Sequence, residues 1–252
     1  MNISLFILAH PDDDLMMWPF LRAESATHRV VIVYTTDTEQ PGSQRRREEA
    51  LRTLSPLDLH DVKFIVVDAG NTDGRTITIA DEIAAQVRLI AEQYSPVTQI
   101  TTHALEGGNP DHDLAFCIAS GLASRLDNAS EPVTFRAVPF YRKHPISIFP
   151  FTVNRPLLGL PHHIYQSSRL KNIMILPAAR HYKSQVVVLL ALLPLLIMKL
   201  ILRGGVLYHV ERDPLAYLER VENPAMIERQ YGDDPSEFYT RLKAFWTLYG
   251  QK

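Results

Sequence analysis

Two short segments concentrate the groups that chemistry needs. His10-Pro11-Asp12-Asp13-Asp14 and Asn109-Pro110-Asp111-His112-Asp113 each set an imidazole among several carboxylates beside a proline. Two imidazoles and one carboxylate are a recurrent catalytic zinc set. Such a site keeps a coordination position open to water, whose pKa the ion lowers to roughly 7. The candidate ligands are His10, Asp13 and His112. His10 ends an apolar run, Asp13 follows about one helical turn later, and His112 comes from the second segment. Read singly, the acids of either segment are helix caps, because proline and carboxylates both suit a first helical turn. The repetition of one design at two strand–helix junctions is what favours a metal. Zinc is the expected ion, and Fe2+ suits the same donors. The sole cysteine, Cys117, excludes a cysteine cluster and an internal disulfide; beside Leu114 and Ile118 it reads as core packing.

The elements that must position these groups are written in the hydrophobic pattern. Short β-branched runs at 3–9, 29–35, 62–67, 97–102 and 133–138 predict strands. Stretches at 13–22, 43–54, 79–94 and 111–126 carry apolar residues at helical spacing. This alternation predicts βαβ units, an α/β fold with a mainly parallel sheet, and sites beyond the carboxyl ends of the strands. Both chemical segments fall there. From residue 139 to 161 prolines and aromatics are dense, which predicts loops and short strands; from 171 onward the chain reads as helical. The whole, 1–252, is expected to be a single domain: an α/β core at 1–138 with the metal site, and loops and a C-terminal helical elaboration at 139–252 that shape a substrate cleft. The 252 residues are 46% hydrophobic, enough for one core, and 26 Lys plus Arg against 28 Asp plus Glu leave no basic field for nucleic acid. The N-terminus lacks the pattern of a signal peptide, and the default setting is cytoplasmic. Residues 186–202 are almost wholly apolar, broken by Pro194 and Lys199, which is marginal for a spanning helix of ~20 apolar residues, an alternative kept open. They are expected to form a buried or interface helix pair, kinked at Pro194. Peripheral contact with a membrane or a lipid-linked substrate, and a homo-oligomer that covers the run, are the alternatives.

At this point the segments resemble a known family. Ala9-His10-Pro11-Asp12-Asp13-Asp14 resembles the opening signature of the PIG-L/LmbE-like zinc deacetylases, and Glu106-Gly107-Gly108-Asn109-Pro110-Asp111-His112-Asp113 resembles their second. Arg46 and Glu49 match a recurrent pair on the intervening helix, and Tyr182-Lys183-Ser184-Gln185 is similar to a later Tyr-x-Ser-Gln stretch. The resemblance implies a Rossmann-like three-layer fold and a single zinc at His10, Asp13 and His112. It also implies a general base at Asp12, and hydrolysis of an N-acetyl group from an amino sugar or glycoconjugate. Three positions depart from the family pattern. Asp14 stands for a glutamate, Asn109 for a histidine that stabilises the oxyanion, and Gly107 for a tyrosine of some relatives. Asn109 donates a neutral hydrogen bond but carries no proton.

Arg46, His103, Glu106 and His144 are the candidate substrate contacts. Each has a plainer alternative: a solvated helix residue for Arg46, a structural or ligand-orienting histidine for His103, and loop residues for the other two. His162 and His163 read as loop histidines, and the cluster His209, Glu211, Arg212, Asp213 as a turn. Two rival readings remain open: a zinc-dependent hydratase, lyase or other amidase acting on a small carboxylate with the same site, and a non-enzymatic zinc scaffold at a membrane or partner surface.

Overall fold

The computed structural model describes residues 2–37, 40–66, 76–107, 109–127, 132–143, 151–157, 159–218 and 235–250. In chain order the core elements are β1 (Ile3–Leu8), α1 (Asp14–Glu24), β2 (Arg29–Asp37), α2 (Pro41–Leu54), β3 (Asp61–Val66), α3 (Ala80–Gln93), β4 (Val97–His103), α4 (Pro110–Leu126) and β5 (Thr134–Val138). They form the predicted α/β fold: five parallel strands of a seven-stranded sheet between two helical layers, with β1 pairing with β2 and β4, and the pairs β2–β3 and β4–β5 outside them. The chain winds outward from β1 in one direction and from β4 in the other, so the crevice between these two strands is the topological switch point.

β1 is an unbroken apolar run because both faces of its sheet are covered. Leu5 and Ile7 pack with α3, α4 and the terminal helix Pro235–Tyr249, whereas Phe6 and Leu8 pack with α1, α2 and elements from the second half of the chain. The expected packed side of the terminal helix is observed, with Phe238, Leu242 and Phe245 buried. Cys117 is buried in the core, as anticipated.

Short strands occur at 139–161 as expected, whereas the stretch read as helical from 171 onward contains a strand at Gly205–His209. β6 (Tyr141–Lys143) and β7 (Phe151–Val153) form a small hairpin, and β8 (His162–Gln166) pairs with β9 (Gly205–His209) to extend the main sheet antiparallel beside β5. His209 therefore ends a strand instead of lying in a turn. Its Nδ1 meets the Pro161 carbonyl at 2.9 Å and its ring is buried. Short helices α5 (Arg169–Asn172) and α6 (Ile175–Ala179) precede α7 (Val186–Arg203), and α8 (Pro214–Leu218) follows β9.

Two expectations for residues 186–202 fail. The segment is one continuous helix with Pro194 inside it, and only Leu196 and Leu200 are fully buried. A lost backbone bond is tolerable here because Pro194 sits on the exposed side of the helix. α7 ends at Gly204 in the left-handed conformation (φ 72°), the usual helix stop for a residue without Cβ. The adjoining Gly205 lies so close to β8 that a Cβ would sit 1.9 Å from the Tyr165 carbonyl oxygen. That neighbour is backbone and cannot rotate away. Gly205→Ala is therefore expected to part β8 from β9 and cost about 1–3 kcal/mol, read as a lowered urea midpoint with an unchanged dependence on denaturant.

Candidate metal centre and cleft

The site begins with α4. Asn109 is its N-cap: the Oδ1 accepts from Asp111 N at 2.9 Å, and Pro110 takes the first helical position. This presents Asp111, His112 and Asp113 from the first turn. α1 starts one step differently. Pro11 lies in a turn before the helix, so the predicted parallel between the two prolines does not hold. Asp13 turns back and accepts the His10 backbone N–H through Oδ2 at 2.7 Å. Its other oxygen, Oδ1, stands 3.3 Å from His112 Nε2.

One ligand atom from each of His10, Asp13 and His112 can be chosen so that all lie within 4.8 Å of one another. Tetrahedral zinc with bonds of ~2.0–2.1 Å separates its ligand atoms by about 3.3 Å, the spacing found between Asp13 Oδ1 and His112 Nε2. The supporting bonds fit a metal as well. His10 Nε2 faces Asp111 Oδ2 at 3.1 Å, which leaves Nδ1 as the coordinating atom, 3.6 Å from Asp13 Oδ2. A carboxylate behind a ligating imidazole fixes its tautomer and raises its basicity. Burial opposes a charge on His10, yet the hydrogen bonds and charges of Asp111 and Asp13 outweigh it and raise its pKa well above the ordinary value. The field at this point thus favours a cation.

Asp12 lies beside this set. Its carboxylate accepts both 3.1 and 3.2 Å hydrogen bonds from one Arg46 nitrogen. Burial raises the Asp12 pKa, while Arg46 pulls the other way. The neighbouring arginines are committed too: Arg45 to Glu49 at 3.1 Å and Arg47 to Asp37 at 2.6 Å. The three arginines thus form a row of ion pairs, with Arg45 on the exposed side and Arg46 and Arg47 partly buried. Arg46, expected to fork onto substrate, instead holds Asp12 while still lining the cleft.

His103 and Glu106 are placed differently from the expectation of substrate contact. His103 is fully buried under His112, with ring centroids 3.9 Å apart. Its Nε2 accepts the Ala9 N–H at 2.9 Å, and burial, with His112 next, pushes its pKa down to about 4. It is a neutral spacer that ties β4 to the end of β1. Glu106 Oε2 accepts the Phe140 N–H at 2.7 Å, and the Phe140 ring packs edge-on against His103. Both residues position the site from behind because they come off the strand ends beneath its floor. His144 lies outside the described residues.

Several residues that matter here escape sequence reasoning. Asp111 was legible only as a capping acid. Asp113 accepts from the Glu106 and Gly107 backbone at 2.9 and 3.1 Å and from Tyr239 at 3.0 Å, so it shapes the turn that Gly107 makes with φ 73°. Burial raises the Asp113 pKa to about 6. Asp14 is buried and accepts from the hydroxyls of Tyr34 (3.0 Å) and Tyr182; burial lifts its pKa to about 7. Tyr182 belongs to the Tyr-x-Ser-Gln stretch, and Ser184 of the same stretch gives its N–H to Glu49 at 3.1 Å. That stretch therefore fastens the start of α7 to α1 and α2.

A cleft of about 330 Å³ opens over the centre. Its floor is polar, with His10, Asp12, Asp13, Arg46 and Asn109, and one wall is α7, contributing Leu189, Leu192 and Leu196 among others.

Solved structures share this architecture. The deacetylase-bog complex of the teicoplanin biosynthesis pathway aligns with a TM-score of 0.59 and 16% identity over 84% of this chain and 99% of that one. N,N'-diacetylchitobiose deacetylase from Pyrococcus horikoshii aligns at 0.58 and 16% over 86% and 85%. The A40926 pseudoaglycone deacetylase aligns at 0.55 and 18% over 84% and 97%. At these identities the likeness is one of fold. A sequence search of curated proteins finds no match. Residues 5–121 match the family model described as GlcNAc-PI de-N-acetylase, PIG-L. Both candidate metal-site junctions lie inside that span, so the similarity to the PIG-L family rests on the part of the chain that carries them.

Proposed function

We propose that the chain is a metal-dependent hydrolase that removes an N-acetyl group from an amino sugar or glycoconjugate. The observation that carries this reading is the Asp12 carboxylate, fixed by Arg46 at the cleft floor beside the His10, Asp13 and His112 donors. The match of residues 5–121 to the GlcNAc-PI de-N-acetylase model supports it, and so do the names of the structural neighbours: deacetylases of teicoplanin biosynthesis, of an A40926 pseudoaglycone and of diacetylchitobiose. Zinc is the proposed ion; one neighbour is described as the zinc-inhibited form of its enzyme, which leaves the native metal to be determined by analysis.

His10 Nδ1, Asp13 and His112 would hold the ion, which supplies Lewis acidity that polarises an acyl carbonyl and acidifies water. The chain's own groups divide the remaining work. Asp12 accepts the proton of the attacking water as the new C–O bond forms and the carbonyl oxygen becomes an oxyanion; it then passes that proton to the amine nitrogen as the C–N bond breaks. Arg46 favours the ionised form of Asp12 and aims it. Asn109 has its Oδ1 committed to capping, and its Nδ2 donates to the oxyanion that develops on the former carbonyl oxygen. Asp111 orients His10, and His103 with Phe140 sets the plane of His112.

Incubating metal-loaded protein with N-acetylglucosamine conjugates that carry sugar, inositol or lipid aglycones, and quantifying acetate and free amine, tests the proposal. Formation of no amine from any of them overturns it. Asp12→Asn is expected to lower kcat by roughly 10²–10⁴-fold with metal content unchanged by elemental analysis. Asp111→Asn is expected to weaken metal affinity about 10–100-fold, seen in competition with a chelator, while KM for saturated enzyme stays near the parent value. Dialysis against a chelator should abolish turnover, and the divalent ion that restores it at the lowest concentration identifies the native metal.

A further inference from the structure

α7 has two apolar faces, and the cleft uses one of them. Val188, Leu192 and Leu196 turn inward to the cleft wall. The stripe Val187, Leu190, Pro194, Met198 and Leu202 turns outward, with Val187, Leu190 and Leu202 exposed by 77, 73 and 70%. The surface continues onto the preceding segment through Ile173, Met174 and Leu176, all exposed. A second, almost wholly apolar groove of about 530 Å³ runs between Leu176 and α7 and shares Leu189 and Leu193 with the cleft wall. A patch of this kind marks an interaction surface.

Charge selects the occupant. From residue 167 to 210 the chain has six Lys and Arg (Arg169, Lys171, Arg180, Lys183, Lys199 and Arg203) and no Asp or Glu, although the whole chain carries net charge −2. Arg180 and Lys183 are exposed and rim the apolar groove. An apolar helix face edged with cations is the pattern of a helix that lies in a bilayer interface. The apolar side enters the acyl boundary, and the cations meet anionic headgroups. The helix is long and apolar enough to cross a membrane by length and composition. Crossing would strip Leu196 and Leu200 from the core and the cleft of its wall.

We propose that the outward face of α7, with the adjoining Ile173–Leu176 surface, docks the protein peripherally on an anionic lipid bilayer, so that the cleft opens at the membrane surface. This placement goes beyond the deacetylase reading and does not depend on it. Its test is flotation of the full chain with vesicles, which requires no catalysis. With vesicles of phosphatidylcholine containing phosphatidylglycerol, the protein should float. It should bind far less to phosphatidylcholine alone and be released by high salt. Val187→Asp with Leu202→Asp touches neither the cleft nor the metal donors. It should reduce partitioning by about tenfold or more while thermal unfolding stays at the parent temperature. Arg180→Glu with Lys183→Glu should remove the preference for the anionic lipid. Failure of the parent protein to float with anionic vesicles overturns the proposal. So does a parent dimer that Val187→Asp/Leu202→Asp splits without any flotation, because a second copy would then cover the face. Binding that resists both high salt and carbonate overturns it in favour of a spanning helix.

Discussion

Everything at this centre follows from carboxylates placed in a dry crevice. Asp13, Asp14, Asp111 and Asp113 are buried, and Asp12 is nearly so, all within the first turns that follow β1 and β4. An ionised carboxylate away from water is costly unless it is paired or hydrogen-bonded. The fold answers each one differently. Asp14 receives two tyrosine hydroxyls, and Asp113 receives backbone amides and the Tyr239 hydroxyl. Asp111 takes His10 and the Thr76 hydroxyl, and Asp12 takes Arg46. Asp13 is surrounded by imidazoles, those of His10, His103 and His112. A buried carboxylate ringed by imidazole nitrogens is a donor set suited to a cation, and this is the physical basis for proposing an ion there.

The same need explains why the two halves of the chain are tied together at a distance from the cleft. Tyr182 and Ser184 stand some 130 or more residues beyond their carboxylate partners Asp14 and Glu49, yet they are the groups that satisfy them. Through Glu49 the α2 helix, which also presents Arg46 to Asp12, is locked to the start of α7. The position of Asp12 and the position of the cleft wall thus share one set of hydrogen bonds. A change at either end is felt at the other because a buried carboxylate left without its donor carries a penalty of ~1–3 kcal/mol or more.

The sheet and the grouping of His10, Asp13 and His112 were legible because their signals are local. Strand period, helix period and a proline-flanked acid turn are read within ten residues, and the switch point then brings His10 and His112 together without further information. The roles behind the ligands were not legible. Arg46 reads equally as a substrate contact or a solvated residue until Asp12 is seen beneath it. His103 and Glu106 look like cleft residues by their position in the sequence, and only the depth of β4 shows that they lie under the floor. β8 and β9 were missed for a related reason. Edge strands paired antiparallel over a long separation have short, mixed patterns such as His162–Gln166, whose stability comes from pairing with Gly205–His209 rather than from alternation of its own. The continuous α7 was misjudged because sequence shows the apolar run but not which side is covered.

The contrast between floor and wall gives the cleft its character. Five polar or charged groups converge at its base, where charge must be handled, and the leucines of α7 close one side with nothing that can solvate an ion. A low-dielectric wall strengthens every electrostatic interaction on the floor, so the hold of Arg46 on Asp12 and the pull of the buried carboxylates on a cation are both larger than they would be in open water. It also discriminates among substrates: a ligand that reaches the floor with an amide must bring apolar surface to lie against Leu189, Leu192 and Leu196, or leave water trapped there. Selection by the wall and the polar floor are therefore coupled through one helix, whose other face carries the most exposed large apolar side chains among the described residues.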